Sequence, residues 1–573
     1  MILLLSSLAS GATTFTIGTN QDYPSVSAAL VAEGSTASQP IEFLLYPDYN
    51  ESYEISTNGY PMGLAFSVDV IIRSSDPGES RVFREVHAYN GANVTLVDLE
   101  ITPVAASYTD PMERGSGGTI HHAAMLATED SSLTAERVSV TGLASRGLAW
   151  ASDSDLTLID CSFVGNTPET GNTNPYEFKN YAVALRSAES GHTLTLVDTE
   201  IDNASGPAIA VYSDSGSQSL NITGGRIANV GGESAGSAAL TFGEVDTTVS
   251  GLSIENAGNT AVQLGAGQHD WRMLDIVEGK GAQGGAFHLA DGGNLALNEV
   301  VCKECYGEQG GGLVYARGGT SVKVADLHMI GGGGREGGAL YAEGVALSVE
   351  NGRFCGVAND NGPLISTSSQ IYVINTVFRN LPVNAPLFGG QGGDLSLVNN
   401  TFVDNAGPIF GGVFTGVEFI NNAVVAGTTL NAGEAPIDLT FSYNLFYDNV
   451  EADFGLGIQA GEGNQINVEP GFDPAFLADP TNCEIDPVPD TGSALIDAGD
   501  PNIADKDGTI SDIGAFGGPG AEDFELGWNP ADPSELTLMG GCSGGGGLAG
   551  FLLALPLLGL NRKRREWAKQ EQG

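Results

Sequence analysis

The chain is poor in basic residues. Lys and Arg number 23 against 70 Asp and Glu over 573 residues, a net charge of −47. Such a chain is repelled by polyanions and anionic membrane surfaces, which argues against nucleic acid as a partner. Cysteine is scarce as well: six residues, widely scattered, are too few for a disulfide scaffold. Cys302 and Cys305 form the one close pair. Cys302 falls on an apolar stack and reads as a packed thiol, with a local disulfide as the alternative. A redox CxxC would need a βαβ setting that is missing here, and the seven histidines show no zinc-like spacing to the pair. Long apolar runs are also lacking. The run at 548–560 is 13 residues, short of the ~20 that span a bilayer. Gly and Asn interrupt the middle of the chain every few residues, leaving no room for helices of ordinary length. Yet 41% of the residues are hydrophobic, enough to bury a long core, so the charge does not imply disorder.

What is present is repetition. A rung of the form x-Ala/Pro-apolar-x-apolar recurs at Ala182, Ala208, Ala238, Ala261, Ala286, Leu313, Ala339, Pro363, Pro386 and Pro408, in steps of 22 to 30 residues. A second rung, apolar-x-apolar-x-acid/Asn, recurs at Asp98, Glu136, Asp160, Asp198, Gly224, Gly251, Asp275, Glu299, Asp326, Asn351, Asn375, Asn399 and Asn421. Two ladders with one period describe a coil of roughly 24 residues stacked on its own copies, a solenoid. The rungs are short, β-branched and partly alternating, as in Ile371-Tyr-Val-Ile-Asn-Thr-Val-Phe, which reads as strand. Three residues past the second rung run Cys302, Met329, Phe354, Phe378, Phe402 and Val424, an interior apolar stack. The predicted fold is all-β: a right-handed parallel β-helix with a short N-terminal capping helix and an irregular C-terminal cap. The 81 glycines supply positive φ at its corners.

Several motifs resemble known families. Gly284-Gly-Ala-Phe-His-Leu-Ala, Gly311-Gly-Leu-Val-Tyr-Ala and Gly337-Gly-Ala-Leu-Tyr-Ala resemble the GGA-I/L-Y-A repeats of polymorphic outer-membrane proteins. Leu397-Val-Asn-Asn-Thr-Phe-Val-Asp-Asn resembles the repeat of pectate-lyase-like β-helix proteins. Gly492-Ser-Ala-Leu-Ile-Asp-Ala-Gly-Asp-Pro, with Asp505-Lys-Asp-Gly-Thr-Ile-Ser-Asp-Ile-Gly-Ala-Phe-Gly-Gly after it, resembles the closing segment of bacterial surface β-helix proteins. These resemblances imply an architecture and a surface location rather than a reaction.

Both ends read as addresses. Residues 1–12 look like the end of a secretory signal peptide, without the usual basic start, which places the true N-terminus upstream; a buried first strand is the alternative. At the other end, Gly540, Gly541 and Cys542 open a Gly-rich stretch before the apolar run at 548–560 and a basic tail, Asn561-Arg-Lys-Arg-Arg. Motif, apolar segment and basic tail resemble the tripartite C-terminal sorting signals of Gram-negative bacteria, of the GlyGly or Cys-Gly type. The resemblance implies membrane insertion before processing, cleavage near the motif and display at the cell surface, with Cys542 as the candidate for processing or lipid attachment; a plain tail anchor is the alternative. Between the ends, residues 13–60 form an N-terminal cap, 61–450 the coils, 451–530 a C-terminal cap, 531–547 the Gly-rich linker with the sorting motif, and 548–573 the apolar segment and tail. Tyr23-Pro-Ser-Val-Ser-Ala-Ala-Leu-Val-Ala reads as a helix covering the open end of the coil.

Chemistry is expected where coils lengthen. The steps from Asp98 to Glu136 and from Asp160 to Asp198 are both 38 residues. The extra loops, at about 104–122 and 166–181, leave the coil at one phase with a single short coil between them, so their bases stand roughly 10 Å apart. They wall a cleft suited to an extended polymer. Candidate catalytic residues there are Arg114, Arg146, His121, Asp110, Glu113 and Lys179. Tyr108, Trp150, Tyr176 and Phe178 offer rings for stacking on sugars. No Asp-Asp pair, Gly-His-Gly or pectate-lyase catalytic motif accompanies them; surface loops without chemistry are the plainer alternative. For metal, Asp505-x-Asp507-Gly508 with Asp512 looks like half of a Ca²⁺ loop, lacking its distal Glu; Asp-Gly turn chemistry is the alternative. No other cofactor is implied. The expectation is a secreted or cell-surface structural or adhesive protein that binds a polysaccharide or cell-surface glycan in the two-loop cleft. The alternative is a polysaccharide lyase or glycoside hydrolase working in the same cleft.

Overall fold

A computed structural model describes residues 12–521 other than 34–39, 50–53, 56–60, 63, 84, 102–122, 142–146, 167–180, 190, 232–236, 291, 320, 360–361, 383–384, 428–429, 431–435, 437 and 450–460. It is a right-handed parallel β-helix of about 14 turns. Almost all strands join one parallel sheet wound about the axis, each pairing with the strand one coil before and one coil after it.

Each coil presents three faces. Face 1 runs through strands such as Gly147–Ser152, Tyr181–Ser187, Val314–Arg317 and Leu340–Glu343. Face 2 runs through strands such as Ile41–Leu45, Asp155–Ile159 and Asp394–Val398. Face 3 runs through strands such as Ser162–Asn166, Arg353–Cys355, Val377–Arg379 and Thr401–Val403. Along face 2 one side chain is buried and the next faces outward, whereas strands such as Tyr181–Ser187 of face 1 and Thr401–Val403 of face 3 are covered on both sides; identical phases stack coil on coil. The predicted interior stack is present: Met329, Phe354, Phe378, Phe402 and Val424 pair in register and are buried. Phe354, Phe378 and Phe402 lie parallel at 5.0 and 5.1 Å between centroids.

The acid/Asn rung is the sharp corner between faces 2 and 3, where the backbone turns left-handed. Asp98, Asp160, Asp198, Glu299, Asp326, Asn351, Asn375, Asn399 and Asn421 have φ between 45° and 56°. Asn and Asp tolerate this region because their short polar side chains bond locally. Two rungs are displaced: the corner residues are Arg137 and Met273, not Glu136 and Asp275, and Asp275 lies in the face 3 strand instead. The Pro rungs are likewise one residue early. Leu364, Leu387 and Ile409 fill the buried position held by Ala339 in the coil before, while Pro363, Pro386 and Pro408 precede it.

The parallel ladder begins at Thr13–Ile17, inside the stretch expected to be cap, and pairs directly with Ile41–Leu45. The expected helix, α1 (Val26–Glu33), lies between these strands and buries Val26 and Ala29 in the core; the Ser25 hydroxyl accepts from the Ala28 N–H at its start.

The last described strand is Gln465–Ile466. The chain then doubles back as a strap along the outside of face 3. The strap contains a short helix, α2 (Pro474–Ala478), capped by Asp473. Phe472, Phe476, Leu495 and Ile513 pack on outward side chains Val403, Ala423, Val425 and Leu445. The Arg379 guanidinium, 2% exposed, donates to the carbonyls of Asn482 and Ile485. Arg353 pairs with Asp486 at 2.7 Å. Burial pushes Asp486 up and Arg353 down, and their mutual attraction opposes both shifts. Cys483 is bonded to Cys355 across 128 residues, and Cys302 is bonded to Cys305. The reading of Cys302 as a packed thiol is therefore corrected: it lies in the interior stack as expected, but its partner has turned the next corner within bonding reach. Cys161 is a free buried thiol, pushed up to about 11 by burial.

Candidate functional site

Both long excursions leave after face 3 and return into face 1. The first follows Asn93–Ile101 and re-enters at Met125–Thr128; the second follows Ser162–Asn166 and re-enters at Tyr181–Ser187. Met125–Thr128, Gly147–Ser152 and Tyr181–Ser187 pair as successive coils, so one coil separates the two loop bases. Tyr108, Asp110, Glu113, Arg114, His121, Arg146, Tyr176, Phe178 and Lys179 lie outside the described residues.

Trp150 is described, and it differs from the expectation of an open stacking ring. It is 1% exposed, in an outward cluster with Leu126, Tyr181, Ala184, Ala210 and Leu240. These positions lie on the solvent side of face 1, yet their apolar character carries them into a second small core. The same outward column continues through Gln263, His288, Tyr315 and Tyr341.

Around this column the rings form two groups. Tyr181 and Tyr212 share a hydroxyl hydrogen bond, and Tyr212 stacks on Phe242 at 5.1 Å; Phe242 is 51% exposed. Further along, His288 meets Tyr315 edge-on at 5.6 Å, and Tyr315 stacks on Tyr341 at 4.8 Å with 13° between planes. The Arg317 guanidinium lies over the Tyr315 ring at 5.2 Å, while its Nε pairs with Glu343 at 2.7 Å. Burial, reinforced by the Arg317 charge, holds His288 below the usual imidazole range, and burial raises Tyr181 and Tyr315. The group is therefore neutral imidazole, protonated phenols, aromatic faces and one neutralised ion pair. Tyr315 is 2% exposed, so the surfaces left open to a sugar ring are Phe242 and the half-buried His288 and Tyr341.

These residues come from a motif already conspicuous in the sequence. In each Gly-Gly repeat the apolar residue points inward (Phe287, Val314, Leu340) and the next one outward (His288, Tyr315, Tyr341). The paired glycines are required. Gly311 has φ of 66°, and a Cβ on Gly312 would meet the Gly338 carbonyl oxygen at 2.6 Å.

Of the three aspartates considered for Ca²⁺, Asp505 and Asp512 are neighbours, with the Asp497 carboxylate beside them. Asp505 accepts from the N–H groups of Asp512 and Gly518, and Asp507 accepts from the N–H and hydroxyl of Thr509 at 2.9 and 2.7 Å. Asp512 accepts from the Asp497 N–H at 2.7 Å. Their oxygens close turns, as Asp-Gly turn chemistry would have them. Among the described residues no cluster of three or more His, Cys, Asp or Glu suits a metal ion. Among the same residues no helix is long and apolar enough to cross a membrane. Gly540, Gly541 and Cys542 lie outside the described residues. No family model, curated protein or solved structure matches this chain.

Proposed function

We propose that this chain is a surface-displayed β-helix with a structural or adhesive role, binding a polysaccharide or cell-surface glycan along the outer side of face 1. The observation that carries the reading is the pair of ring groups on the outer side of face 1, Tyr181–Tyr212–Phe242 beside the second loop base and His288–Tyr315–Tyr341 further along. The loops at about 104–122 and 166–181 are its proposed walls. Two disulfides support a site of action outside the reducing cytoplasm. The net charge of −47 keeps the solenoid soluble and turns it away from nucleic acid. In this reading the C-terminal segment directs the protein to the surface of a Gram-negative bacterium, with Gly540, Gly541 and Cys542 as the processing point.

The test is a panel of polyuronates and neutral polysaccharides, with and without Ca²⁺, read for both binding and cleavage. Phe242→Ala and Tyr341→Ala are expected to weaken binding by roughly 2- to 10-fold each, as loss of an aromatic contact of ~0.5–1.5 kcal/mol implies. Binding to nothing on the panel removes the glycan reading. The second reading, a lyase or hydrolase, draws on the charged residues of the two excursions. It requires new reducing ends or unsaturated-sugar absorbance that Arg146→Ala or Arg114→Ala abolishes.

A further inference from the structure

The strap is held by three kinds of contact. Its apolar contact with face 3 is a cluster of eight buried side chains, separate from the interior core. Its polar contacts are corner amides, the Arg379 fork and the Arg353–Asp486 pair. Each hydrogen bond replaces bonds to water and nets only a small gain, and the buried ion pair comes close to break-even. The third contact is covalent. Cys355 is 2% exposed on the outward side of face 3, and Cys483 sits part-exposed on the strap. The coils beneath do not depend on the strap for their own pairing. Their ladders run in register from face to face through Gln465–Ile466, and an inner column of Asn400, Asn422 and Asn444 bonds coil to coil below the covered surface.

We propose that Cys355–Cys483 is a redox latch: oxidised, it holds the strap closed over face 3; reduced, it releases the strap as a unit while the coils stay folded. Closing proceeds by thiol–disulfide exchange. The Cys483 thiolate, the more accessible of the two, attacks a small-molecule or protein disulfide and forms a mixed disulfide, expelling one thiol. The Cys355 thiolate then displaces the second. Two protein thiols have lost two protons and two electrons, and the incoming disulfide has become two thiols. Other described cysteines do not compete: Cys302 and Cys305 are fully buried and already joined, and Cys161 is buried with its thiol held protonated. A chain exported into an oxidising compartment would thus close its strap there, covering an apolar flank that stays open until then.

Hydrogen exchange read by mass spectrometry on the full chain tests this. Strap peptides within 472–516 and coil peptides within 371–425 are compared in oxidised protein, in dithiothreitol-treated protein, and in the Cys355→Ser/Cys483→Ser and Cys302→Ser/Cys305→Ser pairs. Strap amides are expected to exchange at least about 10-fold faster after reduction and in the Cys355/Cys483 pair. Coil amides are expected to hold their protection, and the Cys302/Cys305 pair to leave the strap closed. Equal strap protection in every sample overturns the latch. So does simultaneous loss in strap and coils, which would make the bond a general staple. Dithiothreitol acts on protein already folded, so the result stands even where the serine pair does not fold.

Discussion

The solenoid makes the same corner in two chemistries. From Asp98 to Asp326 most corner residues are acidic; from Asn351 to Asn421 they are all Asn. The backbone asks the same of both, a left-handed φ near 50°. What differs is what the side chain faces. Asp160 and Asp198 are exposed, Glu299 and Asp326 half-buried, and Asp98 is neutralised by Arg137 at 2.7 Å. Asn375, Asn399 and Asn421 are at most 2% exposed, under the strap. Asn375 donates to the Ala515 carbonyl at 3.0 Å, Asn399 to the Asp512 carbonyl at 2.8 Å, and Asn421 accepts from the Asp500 N–H at 2.8 Å. A carboxylate cannot donate to a carbonyl and would be an uncompensated buried charge there. The switch from acid to amide therefore marks, in the sequence, where the solenoid stops facing water.

The largest expected effect tests whether the covered coils also differ inside. Their interior column is phenylalanine, whereas earlier coils hold Ile201, Ile227, Ile254 and Ile276. Phe378→Ala is expected to cost about 4 kcal/mol in urea unfolding, against about 3 for Ile227→Ala. Equal costs would mean that the two regions pack alike. Next comes the corner itself: Asn399→Asp is expected to cost about 3 kcal/mol at neutral pH, because the new charge is buried against carbonyls. Most of that loss should be recovered near pH 3, where the carboxyl is neutral and donates.

A smaller effect lies on the strap. Burial, and then the neighbouring Asp505 and Asp497 carboxylates, push Asp512 up to about 6 from an ordinary 3.8. As pH rises through this window the unfolded chain gives up its proton first, so the folded state binds more protons and stability falls between about pH 4 and 6. The full shift corresponds to about 3 kcal/mol; solvent screening of a half-buried group reduces this to about 1. Asp512→Asn should therefore melt higher than wild type at pH 8 and equally at pH 4. The smallest effect sharpens the other side of the contrast. Burial and Asp160 raise Asp198 at an open corner, and Asp198→Asn should stabilise by no more than about 0.5 kcal/mol. A loss there comparable with that of Asn399→Asp would erase the distinction between open and covered corners.

Period, corners and interior stack were legible in the sequence because stacking repeats each requirement at one spacing. Sequence and structure part where a different residue meets the same requirement. Arg137 and Met273 take the left-handed corner without being Asp or Asn, and Leu364 rather than Pro363 continues the alanine column. Trp150 departs from the expected open ring because an outward strand position ordinarily meets water, while here it joins Leu126 and Leu240 in a side cluster. The Cys355–Cys483 bond had no local signal at all, since its partners are 128 residues apart and only the returning strap brings them together. The ring groups of face 1 were half-legible: the Gly-Gly repeats were visible, but which of their side chains faced outward depended on the register.

The strap also acts as a gauge. Elsewhere in the solenoid a whole coil can be lost or duplicated without breaking any column, since each stacks on a copy of itself. Between Cys355 and Asn421 that freedom is gone. The strap reaches both, through a disulfide at one and a backbone N–H at the other. Removing one coil there would shorten the flank by ~4.8 Å and leave the strap out of step with its contacts. A change in coil number is thus expected to be tolerated in the acid-cornered part of the molecule and to unseat the strap in the asparagine-cornered part.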